Sequence, residues 1–266
     1  MKVKSMLIPI GWRQQSPNQL LGACLVILTI LFALPPFALA VSKQTKDPAL
    51  AIASATAPVP VMNSNYTDGS QFVARMCSAA DGLNRYSSNY KMIVHKHRTP
   101  VTQSGSFAFA KTRLMRVEVS GGKNNGALAI LQADGKVHGH LGGAMKFLKS
   151  SVSPDSPQVR APNGYRMVDT DFYSLAAYLE GMLQKGDLSR LSSEPIQTGK
   201  TTSPTLILDV YSGKPGHEHL LKRVYTDPDT LLPVFWEDYK HGKLFAESSW
   251  TNLKTNVDFP SNFFRL

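Results

Sequence analysis

The last two hundred residues of the chain contain short stretches in which apolar and polar side chains alternate. Leu114–Ser120, for example, places Met115, Val117 and Val119 on one side and charged residues on the other. Successive side chains of a strand point to opposite faces, so this alternation is typical of strands with one face in a core. Tight turn signals between the stretches, such as Ala133-Asp134-Gly135, predict antiparallel pairing.

Nine segments of this part of the chain are predicted as strands: Tyr90–Arg98, Ser106–Lys111, Leu114–Ser120, Ala127–Gln132, Lys136–Leu141, Thr205–Tyr211, Leu220–Thr226, Leu232–Tyr239 and Lys243–Leu253. Helical spacing of apolar residues appears twice, over residues 72–83 and over Thr170–Lys185. Asp169 or Thr170 is expected to cap the second helix and Gly186 to end it. The order of helix, strands, helix and strands predicts an α+β fold, with one large antiparallel sheet and helices against one face.

The first forty residues have the pattern of a secretory signal peptide. The only charges before Lys43 are three basic ones, residues 20–34 are almost wholly apolar, and the small-residue site Ala38-Leu39-Ala40 follows a pair of prolines. A basic start, an apolar middle and a small-residue exit are typical of signal peptides, which predicts cleavage after Ala40. The protein is therefore expected to be exported to the periplasm or cell envelope.

Two alternatives remain open for this segment. Leu21-Gly22-Ala23-Cys24 resembles a lipoprotein processing site, although most of the apolar stretch follows the cysteine instead of preceding it. Residues 20–40 are also about long enough for an uncleaved helix that anchors the protein in the inner membrane.

Residues 41–67 are rich in Ala, Pro, Ser and Val, with no sustained helical or strand period, and are predicted to be a flexible tether. The remainder, 68–266, is predicted to be one domain. Removing residues 1–40 takes away three positive charges and lowers the formal net charge from +10 to +7. In an exported protein this excess favours an anionic membrane surface or acidic envelope polymers as partners, and nucleic acid is not expected. A solvated basic surface without a specific partner explains the charge equally well. The oligomeric state stays open.

No catalytic residue is predicted. Gly199-Lys200-Thr201 ends like a phosphate-binding loop, but Glu194 stands where the first glycine is needed. Serine and lysine at Ser88/Lys91 and Ser120/Lys123 have an acyl-enzyme spacing, but they do not begin predicted helices. The chain is therefore interpreted as non-catalytic and without a cofactor.

Six of the seven histidines form His-x-His pairs, at His95/His97, His138/His140 and His217/His219. In a strand, residues i and i+2 point the same way, so each pair could offer two imidazoles to one metal. No Asp or Cys is obviously placed to complete such a site, and polar outward positions explain the pairs equally well. Metal binding is therefore kept as an alternative, with no metal ligand assigned.

The segments 223–234, 236–239 and 250–257 contain a strand, an Asp-rich turn, a Leu-Pro-Val strand start and an Asn-Leu-Lys ending. Together with Gly142–Leu148, they resemble the lipoprotein-carrier-like (LolA/LolB-like) half-barrels. More narrowly, the chain resembles a bacterial domain family of unknown function in that superfamily, over residues 69–266. The resemblance implies a strongly curved, unclosed antiparallel half-barrel with helices packed in its concave face. It also implies relatives that carry or sense lipoproteins, acyl chains or envelope stress.

On this basis the protein is expected to hold an acyl chain, lipid or lipoprotein between the concave sheet and the helices. An envelope interaction or sensor module without a lipid ligand is the alternative, and for each side chain below plain core packing is the competing interpretation. The predicted cavity residues are Phe107, Phe109, Met115, Val117, Val119, Leu175, Leu179, Met182, Leu206, Leu208, Val210, Val234 and Trp236.

Overall fold

A computed structural model describes residues 66–266 except 97–98, 215 and 217. The predicted signal peptide, and the predicted tether up to residue 65, lie outside the described residues. Tyr66 and Thr67, the last two residues of the predicted tether, form a short strand that pairs with Ser192 and Leu191. The described fold therefore includes two residues before the expected boundary at 68.

The described chain contains two α-helices, α1 (Ser70–Asp81) and α2 (Phe172–Gln184). Neither of them, among the described residues, combines the length and the hydropathy needed to cross a bilayer. The twelve strands are β1 (Tyr66–Thr67), β2 (Arg85–Val94), β3 (Val101–Ala110), β4 (Leu114–Gly122), β5 (Leu128–Leu131), β6 (Val137–His140), β7 (Lys149–Val152), β8 (Leu188–Ser192), β9 (Leu206–Tyr211), β10 (Leu220–Thr226), β11 (Pro233–Lys240) and β12 (Lys243–Thr255).

All twelve strands form one antiparallel sheet in the order β1-β8-β9-β10-β11-β12-β2-β3-β4-β5-β6-β7. Two meanders, β2–β7 and β8–β12, are joined where the last strand of the second pairs with the first strand of the first, with Trp250 opposite Tyr90. Strands β1 and β7 end the strand order without pairing with each other, so the described sheet is not closed into a barrel. The predicted α+β class with an unclosed antiparallel sheet is confirmed.

Irregular pairing and close backbone contacts bend the sheet. The register shifts between Ser104 and Gly105 and again between Thr251 and Lys254, and a bulge of this kind increases local twist. A Cβ on Gly105 would collide with the carbonyl oxygen of Glu118, so only glycine permits this close approach of β3 to β4. These devices give the sheet a concave face.

Both helices pack over the second meander. Phe72, Val73 and Met76 of α1 and Leu175 and Leu179 of α2 share one core. The sheet side of this core consists of Leu208, Val210, Val224 and Trp236. The inward side chains of β9–β11 are thus covered by helices, which excludes water from that half of the concave face.

A second core fills one end of the first meander. The ring of Phe172 stacks on Tyr86 at 5.0 Å between centroids, and the Tyr86 ring stacks in turn on Phe109 at 5.2 Å. The backbone N–H of Phe172 donates to the Tyr86 hydroxyl at 3.1 Å. Helix α2 begins at this residue because the Asp171 side chain accepts the backbone N–H of Ser174 at 3.0 Å. The cap predicted at Asp169 or Thr170 was therefore wrong by one or two residues.

Candidate functional site

A cavity of about 380 Å³ opens in the part of the concave face that the helices leave uncovered. Strands β2–β7 form most of its floor, and three side chains of β11 and β12 also line it: Trp236, Ser248 and Trp250. The segment between β7 and α2, residues 153–171, covers one side, and Leu175 of α2 adds to the lining. Within this segment Arg166 forms ion pairs with Asp155, at 2.8 Å, and with Asp169, at 2.7 Å. The volume is within the range of small-molecule sites, which is roughly 300–1,000 Å³.

The walls of this cavity are mainly apolar, and five of the predicted residues contribute to them: Phe107, Val117, Val119, Leu175 and Trp236. The other eight do not line it. Leu179, Met182, Leu208 and Val210 are buried in the core beneath the helices, and Phe109 and Met115 are buried in the second core. Leu206 and Val234 are half-buried away from the cavity. The helices therefore fill the space over β9–β11, where the prediction had also placed a ligand.

Several lining residues were missed by the sequence analysis. They come from strands whose inward positions are small, from the 153–171 segment and from the β6–β7 connection, and they include Ala129, Gly139, Leu141, Met145, Leu148, Val152, Val159, Met167 and Trp250. A signal was present in residues 141–148, which carry four large apolar side chains outside any alternating pattern. Small inward residues give no such signal, because they are equally common in packed sheets.

A cluster of buried polar side chains lies next to Trp236, where β10 and β11 meet the 153–171 segment. Asp238 Oδ1 accepts hydrogen bonds from Lys222 Nζ, from the Tyr165 hydroxyl at 2.9 Å and from the Trp236 indole N–H at 2.9 Å. The Lys222 ammonium also lies over the rings of Tyr165, at 5.5 Å, and Tyr178, at 5.1 Å. Burial, and next the Asp238 charge, raise the pKa of Tyr165 well above its ordinary value, so its hydroxyl stays a donor.

Two polar atoms of cavity-lining residues are buried without a hydrogen-bond partner among the described residues, the Tyr90 hydroxyl and Asn163 Nδ2. Burial raises the pKa of Tyr90 to about 12, so the hydroxyl is neutral at physiological pH. Both groups are donors, and an unpaired buried donor is costly. Neither atom is accessible to a water molecule, so these two donors lie beneath the cavity wall and do not face the ligand space.

The charged residues of the cavity are all basic. Lys91, Lys149 and Arg160 are exposed and line it, as does His140, whereas none of its lining residues in the described part of the chain is Asp or Glu. A cavity with apolar walls and cationic edges favours an amphiphile whose polar end is anionic.

The histidine pairs do not form a recognisable metal centre in the part of the chain described. His138 Nε2 lies 2.8 Å from Asp134 Oδ2, and His140 Nδ1 lies 3.2 Å from the carbonyl oxygen of Leu141. No group of three or more His, Cys, Asp or Glu side chains in the described residues could hold a metal ion. His97 and His217 lie outside the described residues, so two of the three pairs are not complete here.

Three residues of the incomplete enzyme motifs, Ser88, Ser120 and Lys200, belong to ion pairs or strands outside the cavity. Lys200 forms ion pairs with Glu237, at 3.3 Å, and with Glu247. Ser88 and Ser120 both lie within strands, not at the start of a helix as the acyl-enzyme motif requires. None of the three is part of the cavity.

The fold and the cavity together define an unclosed antiparallel half-barrel with an apolar space on its concave side. No family model matches the sequence, and no curated protein sequence is significantly similar to it.

Among solved structures, the chain resembles a DUF1329 family protein from Desulfovibrio piger, with 16% identity and a TM-score of 0.38, over 75% of this chain and 98% of that one. It resembles a LolA superfamily protein from Nitrosomonas europaea with 8% identity and a TM-score of 0.37, over 75% of this chain and 98% of that one. In the MucA/MucB complex of Pseudomonas aeruginosa the match has 14% identity and a TM-score of 0.39, over 75% of this chain and 61% of that one.

These matches include a protein of the LolA superfamily, which the sequence was found to resemble, and a member of a family of unknown function. TM-scores of this size carry no functional argument. The assignment of the fold as a half-barrel is based instead on the strand order and on the helices packed in the concave face.

Proposed function

We propose that this protein is an exported, non-catalytic binding protein of the bacterial cell envelope that holds an acyl chain in the concave cavity. The observation that carries the proposal is the cavity itself, about 380 Å³ between aromatic and aliphatic walls. A sheet of this kind would normally cover its apolar concave face with other side chains, because apolar surface left in contact with water is unfavourable. An open apolar cavity is useful when a ligand covers that surface.

The polar groups restrict the ligand further. The exposed Lys91, Lys149 and Arg160 suit an anionic group at the mouth of the apolar cavity. A fatty acid, a lipid or the acylated end of a lipoprotein combines an apolar chain with a polar end. Burying about 10 methylenes at about 0.8 kcal/mol each gives up to about 8 kcal/mol before ordering costs, so micromolar affinity is the tightest that these methylenes alone can supply.

Two measurements test the proposal. Protein isolated from the envelope fraction is extracted with organic solvent, and mass spectrometry of the extract is expected to find an amphiphile with an acyl chain. The protein is then titrated with palmitate and with a lipopeptide while tryptophan fluorescence is followed, since Trp236 and Trp250 both line the cavity. A saturable change is expected.

A matched pair of variants tests whether the fluorescence change comes from binding in the cavity. Ala129 lines the cavity on β5, so Ala129→Phe places a ring in the ligand space and should weaken binding at least ~10-fold. Ala133→Phe adds the same ring at an exposed position of the β5–β6 turn and should leave binding unchanged. If no acyl ligand gives a saturable response, or if both variants bind equally well, the protein is better described as an envelope interaction or sensor module.

A further inference from the structure

Exposed apolar side chains concentrate in the connection between β6 and β7. Of nine exposed large hydrophobic side chains in the described residues, four lie within eight positions: Leu141 at 48% exposure, Met145 at 46%, Phe147 at 77% and Leu148 at 50%. Soluble proteins rarely expose a contiguous apolar patch without a binding role. We call residues 141–149 the mouth loop, because Leu141, Met145 and Leu148 also line the cavity.

The neighbouring β4–β5 turn holds the mouth loop in its exposed position. Gly142 passes so close to this turn that a Cβ there would collide with the carbonyl oxygen of Asn125, and Gly143 has a φ of +65°. One 3-10 turn, Gly143–Met145, follows, and the backbone N–H of Leu148 donates to the Met145 carbonyl at 3.1 Å. The loop is thus ordered by its backbone while its apolar side chains face solvent.

The surroundings of the mouth loop are basic. Lys146 and Lys149 lie within it, and Lys123 lies in the adjacent β4–β5 turn. The Lys146 side chain extends beside Gly126 of that turn, which places the two connections in contact. Between residues 119 and 152 the only carboxylate is Asp134, at the opposite end of the β5–β6 hairpin. Glu118, two strands from His140 in the same cross-strand row, forms an ion pair with Arg116 at 2.6 Å. Exposed apolar residues are therefore interspersed with uncompensated positive charge.

We propose that the mouth loop docks the protein on an anionic lipid bilayer. Phe147 and its apolar neighbours enter the interfacial region, while Lys123, Lys146 and Lys149 lie against the headgroups. Because three loop residues line the cavity, docking turns the cavity mouth toward the membrane. Docking in this orientation would let an acyl chain pass between the bilayer and the cavity without crossing water. This transfer depends on the proposed function, whereas docking itself does not.

The positive charge around the mouth loop favours a lipid bilayer over a second copy of the chain as its partner. A two-fold contact through the mouth loop would bring the same patch of each copy together, and with it Lys123, Lys146 and Lys149 of both. Like charges facing each other without carboxylates between them are destabilising. An anionic membrane surface has the complementary sign, and it also accepts the apolar side chains.

Vesicle co-sedimentation tests the docking. The exported form is expected to bind vesicles of phosphatidylglycerol and phosphatidylethanolamine, to bind phosphatidylcholine vesicles weakly, and to be released by salt. Phe147→Ser should lower the partition coefficient at least ~10-fold, since a buried aromatic side chain contributes that much or more. Leu188→Ser removes another exposed apolar side chain, on β8 and 51% exposed, and should have no effect.

A second matched pair of variants tests how much the lysine charges contribute to vesicle binding. Lys123→Gln/Lys146→Gln/Lys149→Gln should abolish most of the salt-dependent binding, whereas Lys136→Gln/Lys185→Gln/Lys254→Gln, at exposed positions outside the mouth loop and the β4–β5 turn, should retain more of it. Equal binding by loop and control variants, or no binding to anionic vesicles, overturns the inference. So does a dimer in vesicle-free solution that Phe147→Ser dissociates.

Failure of this inference is distinguishable from failure of the proposed function. Phe147 does not line the cavity, so Phe147→Ser should keep the saturable fluorescence response to palmitate while it loses vesicle binding. Ala129→Phe should show the reverse. A chain that binds palmitate but not vesicles removes the docking proposal alone, and one that binds vesicles but not palmitate removes the acyl cavity alone.

Discussion

The indole N–H of Trp236 donates to the Asp238 carboxylate at 2.9 Å, two residues further along β11. The same oxygen accepts from Lys222 and Tyr165, so one carboxylate positions the tryptophan, the lysine and the 153–171 segment. The Trp236 side chain is 1% exposed and belongs to the helix-covered core, although one of its edges lines the cavity. This residue therefore joins the packed and the open parts of the concave face.

Trp236→Ala should lower the free energy of unfolding by about 3–5 kcal/mol, because a large buried side chain is lost and Asp238 loses a donor. Trp236→Phe keeps most of the volume and should lose clearly less. Urea denaturation followed by circular dichroism measures both. Equal losses in the two variants would mean that the hydrogen bond, and not the packing, dominates the contribution of this residue.

The buried Lys222–Asp238 pair should respond asymmetrically to substitution. Asp238→Asn leaves the ammonium without a carboxylate and should cost about 3–5 kcal/mol of stability. Lys222→Met leaves the carboxylate with two donors, Tyr165 and Trp236, and should cost less. The double variant Lys222→Met/Asp238→Leu should be more stable than Asp238→Asn in the same urea titration. The reverse ranking of the single variants would contradict the role of the two remaining donors.

Stability should fall in acid partly through Glu247. Burial acts to raise the pKa of this carboxyl, but hydrogen bonds from Lys200 and His95 outweigh it and hold the pKa below 4.5. Its contribution is therefore fully present above that value and is lost as pH falls through the lowered folded-state pKa. The difference in unfolding free energy between the wild type and Glu247→Gln should be under about 1 kcal/mol at neutral pH and should shrink toward about pH 3. Glu194→Gln, at an exposed position, is the control for the loss of one carboxyl.

Export is predicted to leave a mature protein that begins at Val41, since Ala38 and Ala40 supply the small side chains at the cleavage site. N-terminal sequencing of protein from the envelope fraction measures this directly. A lipid-modified start at Cys24 would support lipidation instead, and an intact Met1 would support the uncleaved anchor.

Deletion of residues 41–65 should leave the cooperative unfolding transition in place, since this stretch has no periodic apolar face. Extending the deletion through Thr67 also removes β1 and its pairing with Leu191 and Ser192, which should lower the melting temperature by a few degrees. Calorimetry of the two truncated proteins gives the comparison. Loss of the transition in the shorter deletion would show that the predicted tether is part of the fold.

Much of the architecture was determined by the sequence itself. Alternation of Met115, Val117 and Val119 set the inward face of β4, and the apolar stripe of Leu175 and Leu179 set the buried face of α2. Such periodicities follow from the geometry of a single element, so they can be recognised without knowing its neighbours. Strands β7 and β8 were missed because Lys149–Val152 and Leu188–Ser192 are short and polar, and pairing with neighbouring strands defines them.

Only the tertiary structure decided which of the inward-pointing side chains line the cavity. Leu208 and Val117 have the same kind of pattern in the sequence, but two helices cover the first and the second lines the cavity. Periodicity reports the direction in which a side chain points, whereas a cavity depends on what lies opposite, in residues far away along the chain. The same reason explains the mouth loop: a close approach to Asn125 at Gly142 holds its apolar side chains in solvent, and no local pattern contains that contact.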